Sequence, residues 1–176
     1  MAITENLEEK DPIILVDGSS YLYRAYHALP PLLTSNNQPT GAIKGVISMI
    51  KRILIDHPNS PVAVIFDAKG KTFRHEMYKE YKANRPPMPT DLVEQIEPIH
   101  KIIELMGIKL IAITGVEADD VIGTLADQAR QKKLDTVIST GDKDMTQLVC
   151  KNVKVVNTMT GELLDGKGVQ EKFGVP

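Results

Sequence analysis

The stretch "KLIAITGVEADDVIGTLA", Lys109 to Ala126, joins a β-rich apolar run to three acids and an apolar helical pattern. One acid at a helix start is explained by the free N–H groups and the positive dipole end of the helix. The acid cluster of Glu117, Asp119 and Asp120 needs a further reason, because two carboxylates about 4 Å apart repel by roughly 4 kcal/mol at an intermediate dielectric. A cation would remove this repulsion, which directs attention to other acids that would converge on the same place.

The rest of the chain alternates between strand and helix patterns. Strands are predicted at residues 12–17, 61–67, 109–114, 135–140 and 153–157. Helices are predicted at residues 21–29, with Ser19 and Ser20 as candidate N-caps, from Thr40, from Thr90 to Gly107, from the acid cluster and from "GDKD". The helix after Thr90 would bury Val93, Ile96, Ile99, Ile103 and Met106. This alternation predicts an α/β fold, with a mostly parallel central sheet and helices on both faces.

Acids follow the predicted strands, and ligand sites in such sheets lie beyond the carboxyl ends of the strands. Seven acids are therefore expected on one rim: Asp17, Asp67, Glu117, Asp119, Asp120, Asp142 and Asp144. The alternative is that each acid only caps a helix or forms a turn, which stabilises by roughly 1 kcal/mol. Capping explains one acid per helix start but not seven on one edge, so a metal site is the preferred interpretation.

The ligand types indicate the metal. Carboxylates without His or Cys suit Mg²⁺ or Mn²⁺, and the four histidines show no paired metal-ligand spacing. So many carboxylates exceed what one ion needs and predict two ions, which suit in-line displacement at a phosphodiester. The chain has no GxxxxGK[ST] phosphate loop, and nucleotide hydrolysis of that class is disfavoured.

A basic segment, residues 69–87, follows Asp67. It interleaves three aromatic residues with six cations, Lys69, Lys71, Arg74, Lys79, Lys82 and Arg85. On a helix, one face would carry Arg74, Tyr78, Tyr81, Lys82 and Arg85. Such a face can neutralise phosphates and stack on bases; the alternative is a solvated helix whose tyrosines pack on the body. Arg24 can orient a phosphate, although a simply packed helix explains its surroundings equally well.

The bulk composition sets wider limits. With 176 residues, 42% apolar and 25% charged, the chain is expected to form one globular domain. The net charge of −2 is uninformative about nucleic acid. The single cysteine, Cys150, excludes an internal disulfide and suits a cytoplasmic setting. No apolar stretch approaches the ~20 residues of a membrane span. The polar, acidic start is not expected to be a signal peptide, and residues 1–11 are predicted to be a flexible tail.

Four motifs together carry a resemblance: "VDGSSYLYRAYHALPPL", "FDAKGKTFRHEMYKEYKANRPPMP", "GVEADDVIGTLA" and "STGDKDMTQLV". They resemble the 5′ nuclease domain at the start of bacterial DNA polymerase I, in the flap endonuclease group with its PIN-like fold. The resemblance implies a nuclease domain over residues 12–176, with a helical gateway at about 69–106. It implies two divalent ions bound by the seven acids. It also implies DNA contacts from Arg24, Arg74, Tyr78, Tyr81, Lys82 and Arg85.

The implied activity is structure-specific removal of 5′ flaps and RNA primers in DNA replication and repair. The family continues into a helix-hairpin-helix region and a polymerase part, and this chain is expected to be a monomeric fragment that stops before them. Three alternatives stay open: a PIN-type ribonuclease, a catalytically incomplete DNA-structure-binding fragment, and a phosphoacceptor receiver domain. The basic segment argues against the first and the last of these.

Overall fold

The computed structural model describes residues 11–157 and 160–174, so the predicted tail at residues 1–11 lies, except for Asp11, outside the described residues. One sheet contains six strands: β1 (Ile13–Asp17), β2 (Val62–Ile65), β3 (Lys109–Ile111), β4 (Thr136–Ser139), β5 (Val153–Asn157) and β6 (Glu162–Leu164). Their order is β3-β2-β1-β4-β5-β6. The first five strands are parallel and β6 runs antiparallel to β5. The prediction of a mostly parallel sheet is confirmed, although β6 was not predicted.

Helices connect the strands: α1 (Gly18–Ala28), α2 (Gly41–Asp56), α3 (Phe73–Met77), α4 (Thr90–Leu105), α5 (Ala118–Gln131) and α6 (Gly166–Phe173). The helix predicted from "GDKD" is a short 3₁₀ helix, Lys143–Leu148, and α6 was not predicted. Within the described ranges, no helix has the length and apolar character needed to cross a bilayer.

Two apolar cores lie on opposite faces of the sheet. Alternate residues of β1 point to different cores, because successive strand side chains point to opposite faces. Ile14 and Val16 pack with α1, α2 and α4, whereas Leu15 packs with α5 and the 3₁₀ helix. Each such buried side chain contributes about 1.5–3 kcal/mol. Helices on both faces are therefore confirmed, and the two cores hold the carboxyl ends of the strands in place.

The buried face of α4 differs from the prediction. Ile99 and Ile103 are buried as expected, but Val93 is 49% exposed and Leu92 is fully buried. Gln95 explains the difference, since its buried side chain accepts hydrogen bonds from the first N–H groups of α2. A polar residue that caps a neighbouring helix has displaced the expected apolar face, and the prediction for Val93 is wrong.

The basic segment is not one continuous helix. The helix α3 ends at Met77, and Tyr78 is extended, with φ of −143°. Lys82 adopts a left-handed conformation, with φ of +56°. The predicted single helical face is therefore wrong. Residues 79–85 form turns and bends instead, and this path brings Tyr81 and Lys82 back onto the acid cluster.

Candidate active site

A cavity of about 510 Å³ lies at the carboxyl ends of the central strands. Five of the seven strand-end acids line it: Asp17, Asp67, Glu117, Asp119 and Asp142. Cations line it too: Arg24, Lys82, Arg85 and Lys143. These acids come from four different strand–helix turns, and the parallel topology brings the turns to one edge, as the sequence predicts.

Asp17 ends β1 and is only 3% exposed. Its Oδ1 accepts a hydrogen bond of 2.9 Å from the N–H of Ser20, so Asp17 itself caps α1 and the predicted serine caps are wrong. The hydroxyl of Thr140 donates to Asp17 Oδ2 at 2.7 Å. The same hydroxyl accepts the N–H of Asp142 at 3.0 Å. One buried hydroxyl thus connects acids from two separate turns.

The two serines after Asp17 connect further turns. The hydroxyl of Ser19 accepts the N–H of Asp67 at 2.8 Å, and that of Ser20 accepts the N–H of Gly141 at 3.2 Å. Asp67 Oδ1 in turn accepts the N–H of Ala118, the first residue of α5, at 2.8 Å. Neutral donors therefore hold the carboxylates of Asp17 and Asp67 in position without neutralising their charge.

Asp17 and Asp119 are the two cavity acids whose pKa values are raised. Burial raises the pKa of Asp17, and the charges of Asp67 and Asp142 add to the effect. Burial likewise raises the pKa of Asp119 to about 6, with further contributions from Asp17, Asp142 and other nearby carboxylates. Repulsion and desolvation both disfavour the charged form of a carboxyl. A cation bound among these acids would reverse that effect.

Glu117 and Asp120 are already paired with cations. Glu117 Oε1 accepts from Lys82 Nζ at 2.7 Å, and its Oε2 accepts from the hydroxyl of Tyr81 at 3.0 Å. Although burial opposes the charged form, these contacts lower the pKa of Glu117. Both Asp120 oxygens accept from the guanidinium of Arg74, one of them at 2.7 Å from Nη2. This pairing lowers the pKa of Asp120.

Several predicted site residues lie outside the cavity. Asp120 and Arg74 face each other instead. Asp144 is exposed at the start of the 3₁₀ helix, where its N–H donates to Asp142 Oδ1 at 2.9 Å. Tyr78 is 58% exposed and its hydroxyl donates to Glu80. The structure therefore separates the predicted residues into those that share the cavity and those that support or border it.

The donor set suits a hard divalent cation, because it consists of carboxylate oxygens. Across residues 11–157 and 160–174, no three acidic, histidine or cysteine side chains stand close enough together to hold a metal ion. Hydrogen bonds orient the carboxylates of Asp17, Asp67 and Asp142 towards protein groups, and the mutual repulsion of carboxylates favours such spacing. Asp17, Asp67, Asp119 and Asp142 are the acids that a divalent ion would draw together.

Over residues 12–174, the chain matches the family described as "5'-3' exonuclease, N-terminal resolvase-like domain". The chain belongs to this exonuclease domain family. The family predicted from the four motifs is thereby confirmed.

Two curated relatives show how much of a longer protein the family domain spans. DNA polymerase I of Pseudomonas aeruginosa is 60% identical over 164 residues, which are 93% of this chain and 18% of that protein. A 5′-3′ exonuclease of Buchnera aphidicola subsp. Baizongia pistaciae is 48% identical over 162 residues, 92% of this chain and 54% of that protein. The chain thus spans about half of the exonuclease and under a fifth of the polymerase.

The fold is also found in a solved structure, a complex of bacteriophage T5 D15 flap endonuclease with DNA and metal ions. The TM-score is 0.69 at 23% identity, over 93% of this chain and 61% of that one. At this identity the likeness shows the fold, and it confirms the predicted PIN-like architecture.

Some cavity residues of this family domain were not predicted from the sequence. Arg24 was predicted, but its guanidinium lies directly against Gly141, where any Cβ would collide with it. Its Nη1 donates to Asn157 Oδ1 at 2.7 Å. Lys143, which lines the cavity, was not predicted, nor was Thr140, whose hydroxyl binds Asp17. The available signal was their position, since polar or glycine residues flank the acids in both "DGSS" and "STGDKD".

Proposed function

We propose that this chain is the nuclease unit of a 5′–3′ exonuclease and 5′-flap endonuclease that hydrolyses phosphodiester bonds with two divalent ions, Mg²⁺ or Mn²⁺. The observation that carries the proposal is the cavity at the carboxyl ends of the strands, which is lined by five acids and four cations. Acids in this number suit metal ions, and cations beside them suit the phosphates of a nucleic acid.

The seven predicted acids divide according to their surroundings. Asp17, Asp67, Asp119 and Asp142 are the proposed metal ligands, with Glu117 beside them in the same cavity. Bound ions would lower the pKa of a water molecule and stabilise the leaving oxygen of the phosphodiester. Asp144 borders a second groove, together with Val169 and Phe173 of α6. Asp144 would act there only on an ion outside the main cavity.

The cations are proposed to bind the substrate backbone. Arg24 is held in place by Gly141 and Asn157, so its guanidinium is ordered before DNA binds. A preorganised guanidinium loses less side-chain entropy on binding a phosphate. Lys82 and Arg85 enter the same cavity from the basic segment. Tyr81 packs edge-on against His75, at 5.4 Å between ring centres. Its ring also lies beside Lys82, whose Nζ is 5.2 Å from the ring centre.

The proposed substrate is DNA with a 5′ flap or an RNA primer. The support is the family itself and the T5 flap endonuclease of the same fold, whose structure contains DNA and metal ions. The resemblance to DNA polymerase I also supports a polymerase part in the complete polypeptide, and a role in bacterial DNA replication and repair in the cytoplasm. Residues 12–176 are the proposed nuclease domain, and a monomer is the proposed form.

The test is a cleavage assay on the complete natural polypeptide that contains these residues. Labelled 5′-flap DNA and single-stranded RNA of matched sequence are compared in Mg²⁺ and in a chelator. Cleavage near the flap junction is expected only with the metal. Asp119→Asn is expected to lower the rate on the order of 1,000-fold, since metal ions contribute several kcal/mol to such reactions.

Asp127→Asn is the matched control, because Asp127 lies on the same helix but pairs with Arg130 on an exposed surface. Its cleavage rate should stay within about twofold of the unsubstituted protein, as expected for a surface pair. Faster cleavage of the RNA would favour a PIN-type ribonuclease. Cleavage in the chelator, or full activity of Asp119→Asn, would contradict the metal-dependent mechanism.

A further inference from the structure

The two adjacent aspartates of α5 face different surroundings. Successive side chains on a helix point about 100° apart, which allows the two carboxylates to face different groups. Asp119 lines the cavity, whereas Asp120 does not. Asp120 instead accepts two hydrogen bonds from the Arg74 guanidinium, and its Oδ2 also accepts the N–H of Glu117 at 3.1 Å. Its oxygens are thus occupied by the Arg74 guanidinium and by the backbone N–H of Glu117.

Arg74 is held from several sides. Its guanidinium lies over the ring of Phe73, at 4.7 Å from the ring centre. Its Nη1 is 3.7 Å from Glu117 Oε2. The N–H of Phe73 donates to the carbonyl of Gly115 at 2.9 Å. The helix α3 is therefore attached to the loop before α5 through its backbone and to the first turn of α5 through Arg74.

The basic segment returns to the same loop after α3. Lys82 and Tyr81 both bind Glu117, so the segment contacts the start of α5 at two places. The Arg74–Asp120 pair forms the first attachment, and a two-bond guanidinium–carboxylate pair has a defined geometry. The pair precedes, along the chain, the turns that carry Lys82 and Arg85 to the cavity.

We propose that Asp120 is a positioning residue that holds the basic segment in place through Arg74 and does not bind a metal ion. The proposal rests on the nuclease function proposed above. It divides the acid cluster into Asp119, which faces the metal, and Asp120, which faces the substrate-binding segment.

Mn²⁺ binding provides the first test, measured by calorimetry on the complete natural polypeptide. Asp120→Asn and Arg74→Gln should leave the number of bound ions unchanged and the affinity within about twofold. Asp119→Asn should lose an ion or weaken its binding about tenfold or more, since it removes a direct ligand. Loss of Mn²⁺ binding by Asp120→Asn, to the extent seen in Asp119→Asn, would overturn the proposal.

Flap binding provides the second test, measured as a Kd in chelator so that no metal contributes. Asp120→Asn and Arg74→Gln should each weaken binding about fivefold. The Kd of the double variant should not exceed the larger Kd of the two single variants, because the pair acts as a unit. Asp120→Glu, which retains a carboxylate, should recover part of the loss. Additive losses, or unchanged binding in both single variants, would contradict a positioning role.

Arg74→Gln keeps the test decisive if Asp120→Asn folds poorly, since it breaks the pair without changing any acid. The two proposals also fail differently. Metal binding and cleavage that persist in Asp119→Asn would remove the proposed nuclease mechanism. Asp120→Asn that behaves like Asp119→Asn would remove only the positioning role.

Discussion

The acid cluster contains two kinds of carboxylate, and Asp119 and Asp120 show the difference between neighbouring residues. The pKa of Asp119 is raised to about 6, first by burial and then by nearby carboxylates. The pKa of Asp120 is lowered, chiefly by its hydrogen bonds from Arg74. The backbone places both acids at the same helix start. The groups that face each side chain decide whether it still attracts a cation or has already been neutralised.

The same contrast separates the two sides of the cavity. On the sheet side, the Thr140 hydroxyl and the Ser20 N–H hold Asp17, yet its pKa is still raised because burial and neighbouring acids outweigh them. On the side of the basic segment, Lys82 and Tyr81 overcome the burial of Glu117 and lower its pKa. Neutral partners orient a carboxylate and leave its charge available to a cation, whereas cationic partners neutralise that charge in an ion pair within the fold.

The largest stability effect is expected on the sheet side, at Thr140. Thr140→Val keeps the shape but removes the hydroxyl that binds both Asp17 and the N–H of Asp142. Thr140→Val leaves the buried Asp17 carboxylate and the Asp142 N–H without this hydrogen-bond partner, so the free energy of unfolding should fall by about 2 kcal/mol. Thr140→Ser retains the hydroxyl and should lose less than about 1 kcal/mol. Urea unfolding in chelator measures both variants, and equal losses would show that the hydroxyl contributes no more than the methyl group that Thr140→Ser removes.

Smaller changes in the free energy of unfolding are expected at Asp119 and Asp120, and the two changes should have opposite signs. The raised pKa of Asp119 means that its charge destabilises the metal-free fold above about pH 6. Asp119→Asn should therefore be more stable than the unsubstituted chain at pH 8, by about 1 kcal/mol after solvent screening. This advantage should fade as the pH falls from about 6 to below 3.8, where Asp119 is protonated in both states. Urea unfolding in chelator at several pH values follows it.

Asp120→Asn should show the reverse. Because its pKa is lowered from an ordinary value of 3.8, Asp120 contributes stability above that value and loses it only as the pH falls through its lower, folded value. The variant should thus be less stable by about 1 kcal/mol from pH 8 down to about pH 5. If both variants changed stability in the same direction at pH 8, the distinction between the two acids would be lost.

The sequence could predict the strand ends because they depend on local pattern. The apolar runs before Asp17 and Asp67 and the glycine-containing turns after them are short-range signals, and parallel topology then places the acids on one edge. The same pattern could not tell which acids share the cavity. That choice depends on side-chain direction around α5 and on Arg74, which lies 46 residues before Asp120 in the chain.

Distant partners also explain the wrong predictions. The path of the basic segment depends on Glu117, which lies 35 residues after Lys82. The buried face of α4 depends on the hydrogen bond between Gln95 and Ala42, 53 residues apart. Helical spacing alone favoured a continuous face in both places, and tertiary contacts outweighed it. The short β6 was missed because Glu162 and Leu163 are exposed, which leaves no alternating apolar pattern to detect.

The smallest expected effect compares two cations of the basic segment. Lys82 is paired with Glu117, whereas within residues 11–157 and 160–174 Arg85 forms no ion pair. Arg85→Ala should lower the log–log salt slope of flap binding by about 0.7, as for one lost phosphate contact on a single strand. Lys82→Ala should lower it less, because Lys82 must leave Glu117 before it can neutralise a phosphate.

Between 50 and 200 mM salt, the slope change for Arg85→Ala amounts to only about 0.6 kcal/mol, so the titration needs Kd values at several salt concentrations in chelator. Lys109→Ala is the control, since Lys109 is exposed at the start of β3, at the opposite edge of the sheet from the acids. Its slope should not change. Equal slopes for Lys82→Ala and Arg85→Ala would mean that Glu117 releases Lys82 at no electrostatic cost, and that the cation-paired side of the cavity is as available to DNA as an unpaired one.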